Sequence, residues 1–215
     1  MSNDSSGRIA AVALALILSA CGQGGADPEG SNANGSHDAS HSAGGAAGSG
    51  GEMHASMASA VGADVSDTWL RKMIAHHEGA IAMTAPVIAG GGDPRVVAIA
   101  RRMAATQGRE IEEMRRLIRK DAAPDPESAR PFAAGEKRMQ EAMSAAHGSG
   151  HGSDPSQAFL RQMIAHHRGA IAMSEIVLAQ GRDERAAAIA RRIVADQGKE
   201  IAEIEALLKT PAPVS

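Results

Sequence analysis

Met73-Ile74-Ala75-His76-His77-Glu78-Gly79-Ala80-Ile81-Ala82-Met83 returns as Met163-Ile164-Ala165-His166-His167-Arg168-Gly169-Ala170-Ile171-Ala172-Met173. Only Glu78 and Arg168 differ between the two copies. Wound as an α-helix at ~100° per residue from Met73, the first copy puts His76 near about −60°, His77 near about +40° and Met83 near about −80°. Two thioethers and two imidazoles then share one face, with Ile74 and Ala82 pointing elsewhere. Imidazole with thioether suits copper, and thioether favours the soft monovalent ion. His76, His77, His166 and His167 are therefore candidate metal ligands, accompanied by Met73, Met83, Met163 and Met173. The same side chains also suit a plain core, since Met at helical spacing is common filler. A His-His pair with flanking Met in both copies favours the metal reading.

Around each copy the chain reads as a helical hairpin. Trp69, Leu70, Met73, His77, Ala80, Ile81, Thr84, Val87 and Ile88 follow i, i+3, i+4 spacing. Asp64, Ser66 or Asp67 caps the start. Pro86 predicts a kink or an early end, and Gly90-Gly91-Gly92 a stop. Asp93 as N-cap and Pro94 at N1 open a second helix, Arg95 to about Lys120. The second copy repeats this, with helices from about Gln157 to Ala179 and from Glu184 to about Lys209. Aromatics are nearly absent (Trp69, Phe132, Phe159), so small aliphatic residues and Met must fill the core. One hairpin cannot bury its apolar face alone. Two together predict an all-α four-helix bundle: repeat one over 64–120, a crossover over 121–156, repeat two over 157–210.

Gln107 and Gln197 interrupt the apolar stripes of the second helices, followed by Glu110 and Glu200. A buried polar group needs a partner, and the histidines of the first helices are the natural ones. A metal-bound imidazole gives its other N–H to such an acceptor, which makes these four residues candidate supports of a metal site. An ordinary inter-helix hydrogen bond, at a close approach permitted by Gly108 and Gly198, accounts for the glutamines equally well. Ahead of each copy stand further donors of the same chemistry: Met53, His54 and Met57, then Met139, Met143, His147 and His151. At the spacing of the copies Met53 matches Met143 and Met57 matches His147. The four-residue recurrence of Met139, Met143, His147 and His151 aligns them on a helix. They are either additional ligands or linker residues.

Arg8 precedes the apolar run Ile9 to Leu18, which is too short to span a bilayer and has the form of a secretory signal. Leu18-Ser19-Ala20-Cys21-Gly22 resembles a bacterial lipobox. That resemblance makes residues 1–20 a lipoprotein signal peptide and Cys21, the single cysteine, a lipidated mature N-terminus. The absence of Asp after Cys21 implies, by the same resemblance, an outer-membrane anchor facing the periplasm. The alternative is an ordinary cleavage site. Residues 21–63, rich in Gly, Ser and Ala, read as a flexible tether, in which His37 and His41 are solvated side chains or weak metal collectors. A formal charge of −3 gives no basis for nucleic-acid binding. No protein partner is indicated.

The core Met-Ile-x-His-His-x-Gly-Ala-Ile-x-Met, followed some thirty residues on by Gln-x-x-Glu-Ile, resembles the exported family called domain of unknown function 305, to which the CopM-like copper-binding proteins belong. The resemblance covers about residues 64 to 210. It implies a ferritin-superfamily four-helix fold and a copper-binding role carried by His76, His77, His166 and His167 with their flanking Met. Ala75 and Ala165 stand where a Pro often precedes the His pair, and the aromatic often found near the end of the second helix is missing. Neither departure removes a ligand.

The reading that follows is an exported, lipid-anchored protein that binds copper for tolerance, sequestration or trafficking. A ferritin-like metal-dependent oxidase is the enzymatic alternative, but no Glu-x-x-His occurs. A metal-free structural bundle is the third. If copper binds imidazole here, binding is expected to weaken as pH falls through ~6.5 and below.

Overall fold

The computed structural model describes residues 45–148 and 154–210, all within one compact unit. Cys21, His37, His41, His151 and the predicted signal peptide lie outside the described residues. The elements are α1 (Gly45–Ser59), α2 (Val65–Gly90), α3 (Pro94–Leu117), a short 3-10 helix (Pro126–Phe132), α4 (Ala133–Gly148), α5 (Pro155–Gln180) and α6 (Glu184–Leu208). There is no strand among the described residues. None of the described helices is long and apolar enough to cross a membrane.

α2 packs with α3 and α5 with α6, as the hairpin pattern predicts. α2 meets α5 between the hairpins, α1 lies on α2, and α4 lies on α5. Among the described residues the bundle therefore has six α-helices rather than four, and its repeating unit is three helices. One expectation is corrected by this: the tether predicted over 21–63 fails at 45–59, which is α1. α4 lies within the crossover over 121–156 and carries Met139, Met143 and His147 on one helix, as their spacing predicts. Gly and Ser give α1 poor intrinsic helix propensity. Burial of Met53 and Met57 against α2 supplies what propensity does not, at ~1.5–3 kcal/mol for each fully buried side chain. Tertiary packing makes this helix.

The added helices explain why α2 is covered nearly all round. Met73, Ile74, Ala75, His76 and His77 are consecutive and all buried, although the wheel leaves Ile74 off the ligand face. Lys72 is buried too: its Nζ donates to the Met57 carbonyl at 2.7 Å and pairs with Glu136 at 2.8 Å, tying α2 to α1 and α4 at once.

Local chemistry sets the ends. The Asp64 side chain accepts from the Asp67 N–H at 3.0 Å, and Asp93 and Asp154 cap helices that open with Pro94 and Pro155. Burial pushes the Asp67 carboxyl up, but the Arg119 and Ala63 N–H groups and Arg71 outweigh it and hold the group below its ordinary range. Those bonds fasten the segment after α3 to the first turn of α2. Pro86 does not end α2 early; the helix runs to Gly90 and is capped by Gly91 in the left-handed region at φ 64°. Ala82, whose carbonyl loses its helical donor to the proline, is exposed, so water can satisfy it.

Candidate metal centre

His76, His77, His166 and His167 are wholly buried. Where α2 meets α5, the rings of His76 and His166 lie 3.6 Å apart between centroids, tilted by 36°. Within each helix the neighbouring rings are 6.1 Å apart, as side chains diverging by ~100° require. The close pair is thus made across the repeats, one histidine from each.

The partners of Nε2 fix the tautomers. His166 Nε2 lies 3.1 Å from the His76 carbonyl oxygen, which can only accept, so Nε2 carries the proton. His77 Nε2 faces Glu110 Oε2 at 2.9 Å and His167 Nε2 faces Glu200 Oε2 at 2.8 Å. His76 Nε2 sits 3.2 Å from Met139 Sδ, and a thioether is a weak acceptor without a proton to give. All four Nε2 atoms therefore act as donors. The four Nδ1 atoms are buried without a hydrogen-bond partner. Burial first, and the other imidazoles second, push His76 and His166 well below the ordinary histidine pKa of 6.5. Both rings are neutral at neutral pH and each carries a bare Nδ1 lone pair.

Met73, Met83, Met163 and Met173 are all buried in the core. The sulfur in contact with His76 belongs to Met139, on α4 of the other repeat. Met139 lies over Gly169 of α5 as Met53 lies over Gly79 of α2: an added Cβ would meet Met139 Sδ at 2.1 Å and Met53 Sδ at 2.6 Å. The structure thus pairs Met53 with Met139 and Met57 with Met143, correcting the match drawn from the spacing of the copies. The loop between α3 and α4 changes the register. A glycine amid an apolar helical stretch was the available signal for this close approach.

Glu110 and Glu200 each hold the second histidine of their own repeat. The expected glutamine–histidine pairing is not made: both side-chain ends of Gln107 and Gln197 are buried without a partner. Nor is there a close approach at the following glycines, since an added Cβ on Gly108 or Gly198 meets nothing within 4 Å. Glu113 and Glu203, one turn beyond Glu110 and Glu200, pair at the surface with Arg192 and Arg102. His54 is half-buried and His147 exposed. Both line a cleft between α1 and α4 together with Met143.

Among the described residues no three His, Cys, Asp or Glu side chains converge into a ready cage for an ion. What the buried centre offers is the four unpartnered imidazole Nδ1 atoms, while Met139 Sδ faces the protonated Nε2 of His76.

The family described as "Domain of unknown function (DUF305)" matches residues 12–118 and 120–208, and each match contains one three-helix repeat. No curated protein matches the chain. Among solved structures it is similar to the "Crystal structure of DUF305 fragment from Deinococcus radiodurans", at 24% identity and a TM-score of 0.48, over 67% of this chain and 95% of that one. With the family matched along both repeats, the chain belongs to the DUF305 family.

Proposed function

We propose that this protein is an exported, lipid-anchored copper carrier that takes up the ion as cargo, for sequestration, tolerance or trafficking. One observation carries the reading: four buried imidazoles whose Nδ1 atoms have no partner. Leaving a buried polar atom unsatisfied costs ~1–3 kcal/mol, and a bound ion offsets that cost where His76 and His166 meet. The carboxylates on His77 and His167 match the outer support that metal-bound imidazole usually has. The oxidase alternative is weaker, because Glu113 and Glu203 are engaged by surface arginines, leaving one carboxylate per repeat at the histidines. The lipobox at Cys21 supports export and anchoring; Cys21→Ser should release the protein from membranes.

The test is metal analysis of the purified protein after exposure to copper, zinc and nickel, alongside a variant with His76, His77, His166 and His167 changed to Gln. Copper retained by the native chain and lost by a still-helical variant is the expected result. A folded variant that binds copper with unchanged stoichiometry and affinity overturns the reading.

A further inference from the structure

We propose that the groove between α4 and α5, over Gly169, binds a phosphate group held by Arg138, Arg161 and Arg168. The site uses none of the four histidines and does not depend on the copper reading. The groove has a volume of about 390 Å³. Its floor includes Met139, Ile164 and Gly169, its charged lining is the three arginines, and no acidic side chain lines it. A phosphate presents several oxygens and a negative charge to guanidinium forks that offer paired N–H donors. The apolar floor takes the organic part of a phosphate ester.

The charge is built where the two repeats otherwise agree. Arg161 is equivalent to Arg71, and Arg168 to Glu78, the one position at which the two copies of the central stretch differ. Gln157 stands where repeat one has Asp67. Met139 and Met53 share a seat over a helical glycine, and by that match Arg138 stands where repeat one has Glu52. Glu52, Asp67, Arg71 and Glu78, three acids and one base, carry a formal −2. Arg138, Gln157, Arg161 and Arg168, three bases and an amide, carry +3. The corresponding cleft of repeat one, beside Ile74 and Ala75, is lined by both Arg71 and Glu78. Clustered like charge opposes compaction, and an anion among the three arginines relieves it.

The partners of the arginines differ in the same sense. In repeat one Arg71 Nε donates to the Asp67 carboxylate at 3.1 Å, and its Nη2 donates to the Arg119 carbonyl at 3.1 Å. In repeat two Arg161 Nη2 donates to the Gln157 amide oxygen at 3.0 Å, a neutral acceptor that leaves the charge uncancelled. Arg161 Nη1 is buried with no acceptor. A buried donor without a partner is rare in folded proteins, and a phosphate oxygen in the groove supplies one. Arg138 is exposed and makes no ion pair among the described residues. Arg168 pairs with Glu205 at 3.0 Å, but both side chains are exposed, and such a pair is weak and screened. Arg161 and Arg168 lie about two turns apart on α5, and Arg138 faces them from α4.

The experiment uses the full mature chain with Cys21→Ser, so that it carries no lipid of its own. Inorganic phosphate is titrated by calorimetry. Vesicles of phosphatidylcholine with and without phosphatidylglycerol are tested by co-sedimentation. Two groove variants are compared, Arg138→Gln/Arg161→Gln and Arg168→Glu, the second restoring the residue of repeat one. Arg101→Gln/Arg109→Gln, on α3, is the control for lost charge, and circular dichroism establishes that each variant is folded. The native and control chains should bind at least one of the two probes, and the groove variants should bind it at least ~10-fold more weakly. Saturable uptake of inorganic phosphate makes a soluble phosphate the ligand. Binding to the phosphatidylglycerol vesicles alone, above the phosphatidylcholine baseline, makes it a lipid headgroup. Folded groove variants that bind as the native chain does overturn the proposal. So does a control that loses as much as they do, or a native chain that binds neither probe.

Discussion

His76 and His166 stack between the two repeats at 3.6 Å, yet they do not treat each other alike. His166 Nε2 donates to the backbone carbonyl of His76, and His76 Nε2 turns to the sulfur of Met139. The pseudo-symmetry of a nearly identical repeat is broken at its closest contact. One imidazole is held by backbone and the other by a soft side chain.

The stacked pair makes the metal-free fold sensitive to acid. Both rings resist protonation in the folded chain, whereas in the unfolded chain they titrate near ~6.5. Below that pH the unfolded chain takes up protons that the folded chain refuses. Stability is therefore complete above the unfolded pKa and falls as pH drops, by at most about 1.4 kcal/mol per pH unit for each histidine. Denaturant midpoints of the metal-free protein across neutral and mildly acidic pH check this. Midpoints that hold level or rise on acidification refute it.

The glycines divide into two classes. Gly79→Ala and Gly169→Ala push a methyl into Met53 and Met139, and overpacking should cost ~1–3 kcal/mol at each site. Gly108→Ala and Gly198→Ala meet open space and should stabilise α3 and α6 by up to ~1 kcal/mol. Chemical denaturation of the four single variants decides. Destabilisation by all four, or by none, contradicts the packing described.

Glu200→Gln keeps the shape of the side chain but removes the charged acceptor of the His167 N–H. If His167 supports the copper centre, affinity should fall ~10–100-fold. Glu203→Gln, which loses only an exposed pair with Arg102, should leave affinity unchanged. Chelator competition on both variants separates the roles, and equal affinities for the two would remove Glu200 from the site.

Gln107 and Gln197 are buried with both ends of the amide unpartnered. Replacing either by Met, an unbranched apolar side chain of similar length, removes a desolvated polar group and should raise stability by about 1 kcal/mol. Thermal unfolding of Gln107→Met and Gln197→Met is the measurement. A loss of stability in both would mean that the amides have partners in solution.

The sequence by itself determined the hairpins, their caps and the histidines as the buried polar centre. Helical periodicity, Asp-Pro starts and a Gly stop act over a few residues and can be read locally. It also marked Glu110 and Glu200 as supports of the histidines, because polar groups beside an apolar stripe need a partner when buried. Tertiary structure alone decided the rest. α1 has the composition of a tether, and its helix exists because Met53 and Met57 find a surface on α2. Met139 reaches His76 from the opposite repeat, a pairing that no intra-repeat spacing encodes. The stack of His76 on His166 likewise depends on how two packed hairpins meet, since residues on different helices acquire a distance only when their apolar faces are buried together.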